Sequence, residues 1–207
     1  MNINYIHWLG HASFRIEDGK KEFYIDPWKI SEVSPKADII FITHGHYDHF
    51  SLVDIAKIQS EKTILVVPKN LAGQFHINII AVEPGKTYEI GSLKVTTVPA
   101  YNMNKKFHPK ESGWVGYILT LSNGERIYHS GDTDFIPEMK KIVVDVAMMP
   151  CGGTYTMSAV EMAEAANFFK PKILIPMHWG DIVGSKADAG EVKKLYKGET
   201  VILKPER

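Results

Sequence analysis

Residues 38–50 read DIIFITHGHYDHF and join a short apolar run to a cluster of three histidines and one aspartate. The apolar part is continuous and too short for a helix, so it predicts a buried strand. The polar part begins where that strand ends, which is where folds built from strands and helices place their functional groups. This stretch therefore predicts a functional site at the carboxyl end of a buried strand.

The chain has the composition of a globular protein, and its 207 residues predict one domain over residues 1–207. The 24 basic and 24 acidic side chains balance, which disfavours a nucleic-acid ligand. The single cysteine, Cys151, excludes an internal disulfide, and no apolar run approaches the ~20 residues of a membrane span. We therefore expect a cytoplasmic protein without a membrane anchor, whose oligomeric state the sequence does not indicate.

The order of elements predicts an α/β fold. Short runs rich in β-branched and aromatic residues dominate the first part, and helical periodicity appears at residues 51–60, 135–141, 158–169 and 188–196. Ser158 and Glu161 have the spacing of a capping box at the start of the third helix. We expect two sheets packed face to face between outer helices, a four-layer αββα sandwich.

The histidine cluster predicts a metal site. His44 and His46 project to the same side of an extended segment, and Gly45 lets the backbone lie close to what they bind. Asp48 and His49 are adjacent and must diverge, so they suit a second, neighbouring centre. A solvated polar loop would account for one histidine but not for so dense a cluster.

Both centres need further ligands, and two other predicted strands end in suitable residues. Residues 126–130 are followed by Asp132, and residues 173–177 are followed by His178. A carboxylate has two oxygens, so Asp132 is a natural bridge between two cations that lie ~3.5–4 Å apart.

These motifs resemble those of the metallo-β-lactamase superfamily. HGHYDH matches its HxHxDH signature, HSGDTD is similar to its bridging-aspartate motif, and IPMHWG is similar to its final histidine motif. The segments WLGHASFRI, YIDP and CGGTYTM resemble the branch that contains ascorbate-phosphate lactonase and N-acyl phosphatidylethanolamine phospholipase D. The resemblance implies the αββα fold, a dinuclear metal centre and hydrolysis, but no particular substrate.

The resemblance also implies a set of ligands. The first metal would bind His44 and His46. The second would bind Asp48, His49 and His178, and Asp132 would bridge the two. The first metal needs one more protein ligand, for which we favour His108 over Asn102 because imidazole suits a borderline-soft cation better. His11 is expected to contact the metal directly or through a ligand, and Asp26 to hydrogen-bond a ligand histidine.

The expected chemistry is metal-dependent hydrolysis. Two divalent cations, Zn²⁺ by ligand preference or else Mn²⁺, Fe²⁺ or Ni²⁺, would activate a water against a carbonyl or phosphoryl centre. Asp132, as the bridge, and Asp48, as a proton acceptor, are the expected catalytic carboxylates.

The loops after the strands carry the expected substrate contacts. Three lysines in residues 101–113 predict a cationic patch, and so a small anionic substrate with an ester, lactone or phosphodiester bond: Lys105, Lys106 and Lys110. Four aromatic residues are candidates for a wall beside the site: Tyr101, Trp114, Tyr155 and Trp179.

Two alternatives stay open. A nuclease of the tRNase Z kind shares HxHxDH, although it usually has an added RNA-gripping segment that is not visible here. A non-catalytic metal-binding or sensor protein would keep the ligands without turnover.

Overall fold

The structure is a computed structural model that describes residues 1–74 and 78–206. Its strands form two mixed sheets. In the part of the chain that the structure describes, six strands form the first sheet, and their spatial order follows the chain: β1 Ile6–Gly10, β2 Ser13–Asp18, β3 Lys21–Ile25, β4 Ile39–Phe41, β5 Ile64–Pro68 and β6 Ile79–Val82. Seven strands form the second sheet, which runs spatially from the last to the first: β7 Thr87–Ile90, β8 Leu93–Pro99, β9 Val115–Thr120, β10 Arg126–His129, β11 Val146–Pro150, β12 Ile173–Met177 and β13 Glu199–Thr200.

Among the described residues, three α-helices accompany the sheets: α1 Leu52–Ile58, α2 Ala159–Phe169 and α3 Lys186–Leu195. The capping box predicted for α2 is confirmed, since Ser158 Oγ accepts from the Glu161 amide and the Ser158 amide donates to Glu161 Oε2. The helix predicted at residues 135–141 is instead a single 3₁₀ segment, Pro137–Lys141, which is too short for a regular α-helix. No helix among the described residues is long and apolar enough to cross a membrane.

Alternating side chains of β4 show how the layers are arranged. Ile39 and Phe41 belong to the core shared by the two sheets, whereas Ile40 and Ile42, the residue that follows the strand, pack in a second cluster that includes the apolar face of α1. Successive residues of a strand point to opposite faces, so both faces of this sheet are covered. Helices α2 and α3 pack on β11 and β12 of the second sheet. The predicted four-layer αββα sandwich is confirmed.

The two sheets are joined beside the histidine motif. Tyr117 of β9 donates its hydroxyl hydrogen to the carbonyl oxygen of Ile42 at 2.7 Å, and the Val115 amide donates to the carbonyl oxygen of Thr43 at 3.2 Å. Both acceptors lie directly after β4 of the first sheet, at the start of the histidine motif. Both donors belong to β9 of the second sheet. These bonds hold the end of β4 against the sheet that carries the other predicted ligands.

A substitution at Gly131 would show how closely this residue packs against Thr43 and Val115. Gly131 has φ +62°, and a Cβ there would meet Thr43 Cβ at 3.0 Å and Val115 O at 3.1 Å. We expect Gly131→Ala to lower the free energy of unfolding by ~1–2 kcal/mol from the left-handed backbone alone and further through these contacts. Gly124→Ala is the matched control, because Gly124 has φ +83° and nothing within 4 Å of the added Cβ. Equal losses for the two variants in urea denaturation would contradict the close fit.

Candidate metal centre

Strand ends position the predicted site residues. His11 follows β1, Asp26 follows β3, His44 lies just beyond β4, Asp132 just beyond β10, and His178 follows β12. Three of them have left-handed backbones, with φ of 51° at His11, 48° at Asp26 and 59° at His178. Non-glycine residues in this conformation cluster at functional sites, where the surrounding structure maintains the strain.

His44, His46 and His108 form the first group of donors, and their ligand atoms lie within 4.8 Å of one another. His44 Nδ1 contacts Thr43 Oγ1 at 2.9 Å, and its Nε2 lies 3.1 Å from His46 Nδ1. The Thr43 contact fixes the His44 ring through one nitrogen and leaves the other directed at the group.

Asp48, His49, His178 and His11 form the second group, with the same 4.8 Å limit on the separation of their ligand atoms. The His11 ring packs on the His178 ring with centroids 3.9 Å apart, and the His178 amide donates to the His11 carbonyl at 2.8 Å. The first sheet thus positions Asp48, His49 and His11, while the second sheet supplies His178.

Asp132 lies between the two groups. Its Oδ1 is 3.4 Å from His49 Nε2, and its Oδ2 is 3.4 Å from His108 Nε2 and 3.0 Å from His178 Nε2. Donors placed ~2.0–2.2 Å from a tetrahedral cation are separated by roughly 3.4 Å, so this spacing is that of ligands around an ion. The carboxylate therefore contacts both groups, as a bridge would.

The polar atoms of this cluster also lack other partners. His49 Nε2, His108 Nε2, His178 Nε2 and Asp132 Oδ1 are buried without a hydrogen bond. Leaving one such atom unsatisfied costs ~1–3 kcal/mol, so four converging atoms indicate that the cluster is built for a ligand. Imidazole and carboxylate donors in this arrangement fit divalent transition metals.

The pKa shifts of the buried donors also favour the binding of a cation. Burial alone would raise the pKa of Asp132, but the imidazoles of His178 and His49 outweigh it and hold that pKa well below its usual range. Burial likewise lowers the pKa of His49, but Asp132 and Asp26 outweigh it and hold that pKa well above normal. Burial lowers the pKa of His44, which keeps this imidazole neutral, as a metal ligand must be. Asp132 and Asp26 thus stabilise positive charge beside them, which a bound cation would supply in place of the proton on His49.

Asp26 orients the second group. It belongs to a further set with His44 and His49 whose ligand atoms lie within 4.8 Å, but hydrogen bonds occupy both of its oxygens. The Thr43 amide donates to Oδ1 at 2.8 Å, and Oδ2 contacts Thr43 Oγ1 at 2.6 Å and His49 Nδ1 at 2.7 Å. This carboxylate fixes the His49 ring so that Nε2 faces Asp132.

Asn102 has a similar relation to His108. Its Oδ1 lies 2.8 Å from His108 Nδ1, and its Nδ2 donates to Asp134 Oδ1 at 3.1 Å and to the Tyr155 carbonyl at 3.0 Å. The structure therefore places the imidazole of His108 in the donor group and uses the amide of Asn102 to hold that imidazole.

His11 holds Asp48 by the same principle. Its Nε2 donates to Asp48 Oδ2 at 2.9 Å. Burial lowers the pKa of His11 to about 4 despite this bond, so the ring is neutral at pH 7. Burial would raise the pKa of Asp48, but the bond from His11 and the charge of His49 lower it to about 2. Asp48 is thus ionised throughout the neutral range.

An open cavity of about 230 Å³ lies over the donors. Besides donors, four side chains line it: Tyr47, Phe107, Tyr155 and Ile182. Of the aromatic candidates named from the sequence, only Tyr155 is among the described lining residues, and Trp179 packs on Trp8 instead. Tyr47 and Phe107 were not among the candidates from the sequence. Their positions could have indicated them, because each is a direct neighbour of a ligand candidate in the chain.

The lysines of the loop at residues 101–113 are largely paired. Lys105 forms an ion pair with Asp134, and Lys110 pairs with Glu138 at 3.0 Å. Two of the three positive charges in the predicted patch are therefore balanced by neighbouring carboxylates rather than left free beside the cavity.

Comparison with known proteins decides the family. A family model described as a β-lactamase superfamily domain matches residues 5–178. The chain belongs to the metallo-β-lactamase superfamily. The resemblance seen in the three motifs is thereby confirmed, whereas the narrower resemblance to the lactonase and phospholipase D branch stays a prediction.

The relatives agree on the class of activity. A UPF0173 metal-dependent hydrolase of Thermococcus onnurineus is 34% identical, with 97% of this chain and 96% of the relative covered. A second UPF0173 metal-dependent hydrolase, of Archaeoglobus fulgidus, is 33% identical, with 97% of this chain and 96% of the relative covered. The crystal structure of a putative metal-dependent hydrolase from Parabacteroides distasonis is 33% identical with a TM-score of 0.87, covering 98% of this chain and 93% of that one. We therefore assign the chain to the metal-dependent hydrolases of this superfamily.

His108 and Asn102 can be separated by metal titration. We expect His108→Ala to lower the metal content at saturation, because a donor atom is lost. We expect Asn102→Ala to weaken binding by ~10–100-fold while excess metal restores full content, because only the support of the ring is lost. His7→Ala is the control, since His7 pairs with Glu17 and Glu206 outside the cluster. Full metal content in His108→Ala would contradict its place among the donors.

Proposed function

We propose that this chain is a single-domain, cytoplasmic hydrolase with two divalent cations, which cleaves an ester, lactone or phosphodiester bond in a small anionic substrate. The observation that carries the proposal is the position of Asp132, whose two oxygens contact histidines of both donor groups. A site for one ion would not need a carboxylate placed between two sets of donors.

The residues divide between the two ions as follows. His44, His46 and His108 would hold the first, Asp48, His49 and His178 would hold the second, and Asp132 would bridge them. Cations bound here, Zn²⁺ by donor preference with Mn²⁺, Fe²⁺ or Ni²⁺ as alternatives, would supply the Lewis acidity that activates water and polarises the bond to be cleaved.

The chain's own contribution is to hold these donors rigid before substrate arrives. Asp26 fixes the His49 ring, Asn102 fixes the His108 ring, and His11 fixes the Asp48 carboxylate. Such supports keep the reacting groups in place, which is how proximity lowers a barrier.

Asp48 has a second role at the cavity, which it lines. With a pKa of about 2 it is ionised at neutral pH and is a weak base. It therefore acts mainly by accepting a hydrogen bond from the attacking water and so orienting it, with the proton passing to solvent or to the leaving group.

The proposal is tested by a hydrolysis screen with bis-p-nitrophenyl phosphate, simple lactones and thioesters in the presence of Zn²⁺, Mn²⁺ or Ni²⁺. We expect turnover in at least one class, and a loss of at least ~100-fold in kcat/KM for Asp132→Asn, which removes the charge shared by both donor groups. Asp38→Asn is the control, because Asp38 pairs with Lys21 outside the donor cluster. Fully loaded protein that hydrolyses none of these substrates would favour a metal-binding protein without turnover.

A further inference from the structure

The part of the cavity that lies beyond the donors is apolar. Tyr47, Phe107, Tyr155 and Ile182 line it, and the described lining residues include no lysine or arginine. An anionic group remote from the donors would find no cationic side chain on these walls. The walls instead suit a hydrocarbon group of the substrate.

The walls are held in place by aromatic contacts. Phe107 meets Tyr155 edge to face with ring centroids 4.7 Å apart and an interplanar angle of 83°. The Tyr47 and Trp28 rings also meet edge to face, with centroids 6.3 Å apart and an interplanar angle of 77°. Edge-to-face contacts of this kind are favourable in themselves, so the surface is present before a ligand binds.

Three lysines in the segments near the wall residues form ion pairs. Lys29 lies 4.1 Å above the Trp28 ring and pairs with Asp181 at 2.9 Å. In the opposite loop, Lys105 and Lys110 are paired with Asp134 and Glu138. Carboxylates therefore balance the charges of these three lysines, and none of the three is among the described lining residues.

The size and exposure of the surface limit its occupant. A closed apolar cavity of about 150 Å³ binds benzene, so a cavity of about 230 Å³ has room for one ring and the reacting group beside it. Tyr47 is 69% exposed, Phe107 50% and Ile182 37%. This apolar area is in contact with water until a ligand covers it, and covering it is favourable.

We propose that the substrate carries an aryl or short alkyl group that binds among Tyr47, Phe107, Tyr155 and Ile182. Its negative charge lies at the donor cluster and not at the loop lysines. This inference rests on the proposed hydrolase function and adds to it a specificity surface. The substrate is then an amphiphilic small molecule with its polar, reacting end at Asp132.

Calorimetric titration of Zn²⁺-loaded protein with methylphosphonate and phenylphosphonate tests the inference without turnover. Both probes carry the same anionic group, so their difference reports the contact with the walls. We expect phenylphosphonate to bind at least ~10-fold more tightly, in line with the burial of one ring. Phe107→Ala and, as an independent variant in another loop, Ile182→Ala should each reduce this preference at least ~3-fold.

Phe168→Ala is the matched control, because Phe168 is 52% exposed but lies on α2 against Phe135, outside the cavity lining. It should leave the preference unchanged. Equal affinities for the two phosphonates, binding of neither, or a preference that survives both wall variants would overturn the apolar surface. A phenyl preference in a protein that fails the hydrolysis screen would support the surface and remove only the catalytic proposal.

Discussion

The buried carboxylate of Asp132 is the constraint on which the rest of the site depends. It lies among His49, His108 and His178, which come from the first sheet, a long loop and the second sheet. A buried negative charge is costly unless cations or donors surround it, so these three segments must meet at one point. The hydrogen bond from Tyr117 to the Ile42 carbonyl brings the two sheets together there.

A layer of supporting hydrogen bonds turns this meeting point into a rigid site. Asp26 and Asn102 each bind the ring nitrogen of a donor histidine that faces away from Asp132, and His11 hydrogen-bonds the Asp48 carboxylate. Two of these three supports also maintain left-handed backbones, at Asp26 and His11. Strain of ~1–3 kcal/mol per residue persists only where the surrounding contacts fix the conformation, which is consistent with a site whose geometry matters more than its local stability.

The sequence predicted the parts of the site that follow strand ends. His44, Asp132 and His178 each come shortly after a buried strand, and the carboxyl ends of strands in such sheets lie at one edge. The order of strands and helices likewise predicted the sandwich, because layered burial requires periodic side chains that can be read from the chain. The capping box of α2 could also be predicted, because Ser158 and Glu161 are only three residues apart in the chain.

The loop residues were not predictable to the same degree. Whether His108 or Asn102 faces the donors depends on bonds from Asn102 to Asp134 and to the Tyr155 carbonyl, which join segments far apart in the chain. Three lysines likewise form a patch in the sequence, but the charges of Lys105 and Lys110 are balanced by carboxylates that only the fold brings near. Non-local pairing of this kind leaves no periodic signal.

Anomalous diffraction from zinc-soaked crystals would locate bound cations directly and show whether Asp132 bridges two of them. We expect two anomalous peaks ~3.5–4 Å apart, one beside His44, His46 and His108 and the other beside Asp48, His49 and His178, each ~2.0–2.2 Å from an oxygen of Asp132. A single peak, or two peaks that Asp132 does not join, would contradict the proposed bridge.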